Sequence, residues 1–162
     1  MKAIFHADRN WGIGKANDLM FSLPKDMKFF RETTWGKVVV MGLNTLRSFP
    51  NGKPLKNRIN IVLSPDDVNE DVVTVHSLEE LFIELKRYPE NDVYVIGGAS
   101  VYRSLIPYCS EVLVTKVEAD GGADAFVPNL DADEAFELVS ESEPVEDNGY
   151  LIRFCVYRNT KF

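Results

Sequence analysis

Short apolar bursts rich in valine and isoleucine recur along the chain, at residues 3–7, 37–41, 59–63, 72–75, 92–96 and 111–117. Val38, Val39, Val40 and Met41 are consecutively apolar, the pattern of a strand covered on both faces. Between these bursts the spacing changes. Over 24–33, Pro24 stands where a first helical turn tolerates proline, and Met27, Phe29 and Phe30 supply an apolar face. Ser77-Leu-Glu-Glu80 predicts a capping box ahead of Leu81, Phe82 and Leu85, and 100–105 predicts a shorter helix stopped by Pro107. Strands alternating with helices imply a predominantly parallel sheet with helices on both faces. The last third differs, because 136–139 and 150–158 predict two strands joined through 144–149, an antiparallel hairpin that closes the sheet edge. The class expected is therefore α/β, a single domain over 1–162 with flanking helices and a C-terminal antiparallel hairpin.

Two breaks stand out: residues 8–23, long for a connection after a first strand and of the length of an active-site lid, and 118–133, which carries Gly121-Gly122 and several aspartates. The length of 162 residues suits one domain with a substantial core. A net charge of -7 argues against a nucleic-acid partner, since phosphate backbones are held by clustered Lys and Arg. Small anions remain open to it, because local backbone N–H groups hold phosphate whatever the total charge. Met1 to Ala7 is too short for a signal peptide, and no apolar run approaches the roughly 18 residues of a membrane span, so a cytoplasmic protein is expected. Cys109 and Cys155 are too few for a disulfide framework and read as buried thiols.

Asp26 is the first candidate for chemistry. It lies in the first turn of the helix after Pro24, among Phe21, Met27 and Phe30. A carboxylate there is favourable electrostatics at a helix N-terminus, or it grips an amidine-like group with paired hydrogen bonds. The second candidate is Gly97-Gly98, where a strand ends, backbone comes close and Ser100 opens a helix, either a tight turn or a phosphate cradle. A similar junction occurs at 38–45, with Gly42, Asn44 and Thr45, so two such junctions on one sheet suit the two ends of a dinucleotide. Arg58 before a strand either binds a carboxylate with its rigid fork or faces solvent, and Thr115 is a pocket hydroxyl or a packing residue. No Cys–His pair, glycine-framed serine or metal cluster is present.

In order along the chain, Ile4 through Trp11-Gly-Ile-Gly14 to Leu23-Pro24-Lys25-Asp26, Val40-Met41-Gly42-Leu43-Asn44-Thr45, and 57–64 from Asn57-Arg58 to Leu63-Ser64 form three signatures. They are followed by Val95-Ile96-Gly97-Gly98-Ala99-Ser100-Val101-Tyr102, Thr115 and Asp124-Ala-Phe-Val-Pro128. Together these motifs resemble the bacterial dihydrofolate reductase family over essentially the whole chain. The resemblance implies an eight-stranded mixed sheet and reduction of dihydrofolate to tetrahydrofolate by hydride transfer from NADPH. It implies that Asp26 is the only ionisable group at the pterin, with Thr115 completing its network. Ile4, Phe5, Met27 and Phe30 would wall the substrate, Arg58 would take its glutamate α-carboxylate, and Phe21, where the family usually has a residue such as tryptophan, would shape the pocket and the water route to the reducible nitrogen.

For the coenzyme, the resemblance implies that the backbone at His6 and Ile13 holds the nicotinamide carboxamide, beside Gly14, while Asn17 and Leu19 belong to a closing lid. Gly42, Leu43, Asn44 and Thr45, with Ile96, Gly97, Gly98, Ala99, Ser100, Val101 and Tyr102, would hold the pyrophosphate region. Leu63, Ser64 and His76 would hold the adenosine end. Leu43, His76 and Pro65 depart from the family pattern in ways that weaken discrimination of NADPH from NADH, and Met20 replaces a proline common in the lid. Dihydrofolate and antifolate-like molecules are the expected ligands, and a monomer without nucleic-acid or membrane partners is the expected form. A pyrimidine reductase of riboflavin synthesis on the same scaffold is one competitor, opposed by Asp26 after Leu23-Pro24 and by Arg58. A noncatalytic nucleotide-binding module is another, and it has less need of an aspartate in an aromatic-lined pocket.

Overall fold

The computed structural model describes residues 1–162. In chain order the strands are β1 (Lys2–Ala7), β2 (Gly12–Gly14), β3 (Val38–Gly42), β4 (Ile59–Leu63), β5 (Val73–Val75), β6 (Val93–Gly97), β7 (Glu111–Val117), β8 (Ala125–Phe126), β9 (Phe136–Glu141), β10 (Val145–Asp147) and β11 (Tyr150–Asn159). The helices are α1 (Pro24–Thr34), α2 (Leu43–Ser48), α3 (Leu78–Leu85) and α4 (Ala99–Leu105). The predicted strands all form, and their ends move by two residues at most.

The main sheet runs β10-β11-β7-β1-β6-β3-β4-β5, parallel from β7 through β5 and antiparallel at β11. The expected eight positions are there, but nine strands fill them. β9 pairs with β11 at Cys155–Asn159 and β10 pairs with it at Tyr150–Ile152, so both lie along the same side of β11. Pro144 between them has no N–H to donate to a ladder, which splits this edge into two pieces. The hairpin turn is thus tighter than predicted, at Asn148-Gly149, both with positive φ.

Alternation along the strands sorts side chains to two faces. Ala3, Phe5, Ala7, Val38, Val40, Val95, Val112 and Val114 enter the larger core with Leu81 of α3 and Val101 and Leu105 of α4. Val39, Met41 and Val62 pack on the other face with Leu46 of α2. Ile4 and His6 alternate with the larger-core residues of β1, so they point to that second face, where α1 lies. Ser77 accepts from the Glu80 N–H as predicted, but the Glu80 carboxylate reaches back to the N–H of His76 rather than that of Ser77.

The start of α1 is capped from far away. Leu23 has no side-chain acceptor to offer, and the carboxylate of Asp147 in β10 takes the N–H groups of Lys25 (3.1 and 3.2 Å) and Asp26 (3.1 Å). Asp147 is 1% exposed, so water does not compete with it for these N–H groups. Asp147→Ala is expected to lower unfolding free energy by about 1–2 kcal/mol, the usual value of a lost N-cap, with Asp147→Asn losing less. Urea denaturation checks this, and an alanine variant as stable as the parent would show that the cap does not hold α1.

Candidate active site

β1 and β6 are hydrogen-bonded only at Lys2–Tyr94 and Ala3–Val95, whereas β1 follows β7 for its whole length. Beyond Ala3 the two central parallel strands part. This opening lies at the carboxyl ends of the strands, where order reverses along the sheet, the usual ligand crevice of such folds. The carbonyl of Ile4, released from the ladder, accepts from the buried Tyr102 hydroxyl at 2.7 Å. Burial pushes the Tyr102 phenol far above its ordinary pKa, so this hydroxyl remains a donor.

Asp26 projects from the first turn of α1 onto that opening. Its Oδ1 accepts from the Thr115 hydroxyl at 2.7 Å, and its Oδ2 lies 3.2 Å from His6 Nδ1. His6 and Thr115 are cross-strand neighbours on β1 and β7. Phe154 is the next neighbour on β11, and its ring meets Phe29 of α1 with centroids 4.9 Å apart. Asp26, Thr115, Phe21 and Ile4 are all buried, at 7%, 2%, 7% and 5% exposure, while Met27 is 50% exposed at the rim and Phe30 half-buried.

The geometry corrects two expectations here. Asp26 is not the only ionisable group at this end of the opening, because the His6 imidazole lies against its carboxylate. Phe5 does not share a wall with Ile4. Alternation sends it to the opposite face, where it packs edge-on against Tyr102 at 5.1 Å.

Arg58 stands beyond the C-terminal end of α1. Its Nε donates to Thr34 Oγ1 at 3.2 Å, its Nη1 to the Lys56 carbonyl at 2.9 Å, and its guanidinium lies 5.2 Å over the Trp35 ring. Desolvation first, and repulsion from Arg31 second, hold its pKa below the ordinary value. A carboxylate ligand would answer both cations.

At the other end of the opening, β3 and β6 run side by side, so the junctions at Gly42 and Gly97 are neighbours, with Met41 paired to Gly97. Gly97 has φ +142°, and a Cβ there would sit 2.9 Å from Thr45 Oγ1. The backbone is therefore bare and close to Thr45, a cradle that fits a phosphate or pyrophosphate. Ala99, Ser100 and Val101 occupy the first turn of α4, whose N–H groups have no partner within the helix. Tyr102 falls outside this set, because its N–H bonds the Gly98 carbonyl and its hydroxyl the Ile4 carbonyl. Ile96, Leu43 and Leu63 are half-buried, and Ser64 is buried at the end of β4.

His76 is a further correction. Its Nε2 lies 2.9 Å from Asp67 Oδ1 and its Nδ1 3.1 Å from Glu80 Oε2, which raises its pKa, Asp67 contributing most. Both ring nitrogens are thus engaged by carboxylates that would repel a phosphate.

The segment after β1 folds back over the opening. The N–H of Ala16 donates to Asp124 at 3.0 Å, and Asn17 Nδ2 reaches the Asn44 carbonyl at 3.4 Å. Leu19 is exposed, and Ile13 and Gly14 are half-buried in and beside the β2–β8 ribbon. Its anchor is Asp8, which sequence reasoning missed: its buried carboxylate takes the N–H groups of Asn10, Gly12 and Gly121 at 2.8–3.0 Å. An aspartate two residues before Asn10 is an Asx-turn signal, but nothing local announces Gly121. Cys109 and Cys155 are buried and unpaired, their thiols pushed up by burial to about 12 and about 11, so neither is a nucleophile.

Residues 1–159 match the family model described as dihydrofolate reductase. The chain is 36% identical over 158 residues to the dihydrofolate reductase of Bacillus subtilis, covering 95% of this chain and 91% of that protein. It is also 36% identical over 153 residues to that of Enterococcus faecium, covering 91% and 89%. A solved Enterococcus faecalis dihydrofolate reductase complexed with NADP(H) and RAB-propyl superposes with a TM-score of 0.86 at 34% identity, covering 98% of this chain and 95% of that one. With a buried carboxylate at one end of the opening between its central strands, a glycine cradle at the other and this extent of likeness, the chain belongs to the dihydrofolate reductase family.

Proposed function

We propose that Asp26 is the substrate-gripping carboxylate in the reduction of 7,8-dihydrofolate to 5,6,7,8-tetrahydrofolate, the reaction of this family, with NADPH as reductant. The observation that carries this reading is the Asp26 carboxylate itself, buried, tied to Thr115 and lying at the mouth of the parted strands. A desolvated carboxylate bonds a pterin amino group and ring N–H with paired charge-assisted hydrogen bonds, which orients the ring and favours its protonated form. Ile4, Phe21, Met27 and Phe30 supply apolar surface to the flat ring, and Arg58, backed by Thr34 and Trp35, takes the glutamate α-carboxylate.

NADPH supplies the hydride. The residues that would hold it are the Gly42–Thr45 and Gly97–Val101 junctions for the phosphates and the backbone of His6 and Ile13 for the carboxamide. The loop carrying Ala16, Asn17 and Leu19, tied to Asp124 and Asn44, screens the rings from bulk water. His76 is left out of the adenosine contacts, so discrimination between NADPH and NADH rests on Ser64 and backbone groups. The continuous sheet from Lys2 to Asn159 supports one domain, and the buried free thiols fit a reducing cytoplasm.

Absorbance of the coenzyme on mixing with dihydrofolate tests the reaction, with NADPH and NADH side by side and Arg58→Leu as a second arm. Oxidation of NADPH is expected. Arg58→Leu should raise KM by about 10- to 100-fold, the loss of a charge-assisted pair, with a smaller change in kcat. Folded protein that oxidises neither coenzyme would end the reading.

A further inference from the structure

His6 is the residue that neither the expected pocket nor the family likeness uses through its side chain. It is 8% exposed, its Nδ1 lies 3.2 Å from Asp26 Oδ2, and its Nε2 is the one buried side-chain nitrogen or oxygen with no hydrogen-bond partner. Its aromatic neighbour is Phe21, with centroids 6.0 Å apart, and a phenyl ring offers no lone pair.

Two arguments fix what this imidazole does. An ionised carboxylate only accepts, so the contact is a hydrogen bond only if Nδ1 carries a proton. A proton placed on Nε2 instead would be buried without an acceptor and would leave two lone pairs facing each other at Nδ1 and Oδ2. The tautomer with hydrogen on Nδ1 satisfies the pair.

The count of lone pairs then gives the consequence. A carboxylate has about four acceptor positions, two on each oxygen. Thr115 takes one on Oδ1 and His6 takes one on Oδ2. One position remains on each oxygen, which is what a flat ligand offering two neighbouring N–H groups requires. We propose that His6 is a positioning residue of this reductase: its Nδ1–H clamps Asp26 Oδ2 as the Thr115 hydroxyl clamps Oδ1, so that the carboxylate presents one free lone pair per oxygen to the substrate. This rests on the reading of Asp26 as the substrate-gripping group.

The test combines spectroscopy of the intact protein with four variants, three at His6 and one at Asp26. Nitrogen NMR of the imidazoles in ligand-free protein at neutral pH should show His6 with a protonated Nδ1, and a His6 protonated on Nε2 alone overturns the proposal. His6→Leu and His6→Ala should lower kcat/KM for dihydrofolate by about 10- to 100-fold, as expected for one hydrogen bond to a charged acceptor. His6→Asn, whose amide nitrogen occupies the branch position of Nδ1, should recover most of that loss. If the leucine variant matches the parent, or asparagine does no better than leucine, His6 does not position the carboxylate. Should the apolar variants fail to fold, the NMR result and the asparagine variant decide. Asp26→Asn separates the two levels of argument: an active Asp26→Asn removes the reading of the site, whereas an inactive one beside a fully active His6→Leu removes only this inference.

Discussion

Asp26→Asn is expected to lower turnover of dihydrofolate at neutral pH by about 10²–10⁴-fold, the range that a positioned acid–base group contributes. The substitution keeps the shape and removes the charge. An amide offers one acceptor oxygen in place of two, so it cannot take both N–H groups of a pterin, and it cannot stabilise a protonated ring. It also reverses the polarity of one contact inside the protein. Asn can still accept from Thr115 through its oxygen, but its NH₂ group then faces His6 Nδ1, which must give up its proton to accept. The proton would move to Nε2, where no partner waits. A modest loss of stability should therefore accompany the loss of turnover, while the proposed coenzyme cradle at Gly42, Gly97 and α4 stays intact. Steady-state rates together with titration of NADPH check this; a variant with parental turnover would show that the charge is not used.

How much of this arrangement the sequence discloses depends on the range of the interactions. The strands, the helix opened by Pro24 and the two glycine junctions are local patterns of spacing and chain flexibility, and they were legible within a few residues of error. The candidate site was legible where one residue type stands out in one local setting, as with Asp26, which does lie buried in a first helical turn. What stayed hidden depends on partners distant in the chain. Asp147 looks like a turn residue until the sheet brings it to the N–H groups of Lys25 and Asp26. His6 reads as one polar position in an apolar strand, and only the packing of α1 on β1 sets its ring against Asp26. The same holds for Phe5, whose face is decided by the register of β1, and for His76, whose two nitrogens are claimed by Asp67 and Glu80. A charged or polar side chain does not reveal from the sequence which of several neighbours will hold it.

Gly97→Ala should weaken NADPH binding by at least about tenfold and lower Tm as well. Two costs meet at this residue. A φ of +142° is one that L side chains rarely adopt, and holding a non-glycine residue in such a region costs about 1–3 kcal/mol. The added methyl would also sit 2.9 Å from Thr45 Oγ1, on the neighbouring junction of the same cradle. The backbone can relieve both only by turning Gly97 and moving it from Thr45, which displaces the first turn of α4 and its N–H groups. Thr45→Ala in the Gly97→Ala background removes the contact but not the backbone strain, so Tm should return only in part, while affinity stays low because the Thr45 hydroxyl is lost as well. Gly36 supplies the control. It also has a positive φ, +73°, but a Cβ there meets nothing within 4 Å, and it precedes β3 at the end of the sheet away from the cradle. Gly36→Ala should thus lower Tm with coenzyme affinity unchanged. Isothermal titration with NADPH and thermal unfolding of the four proteins separate the terms. If Gly97→Ala binds NADPH as tightly as the parent while losing stability, the junction supports the fold and does not touch the coenzyme.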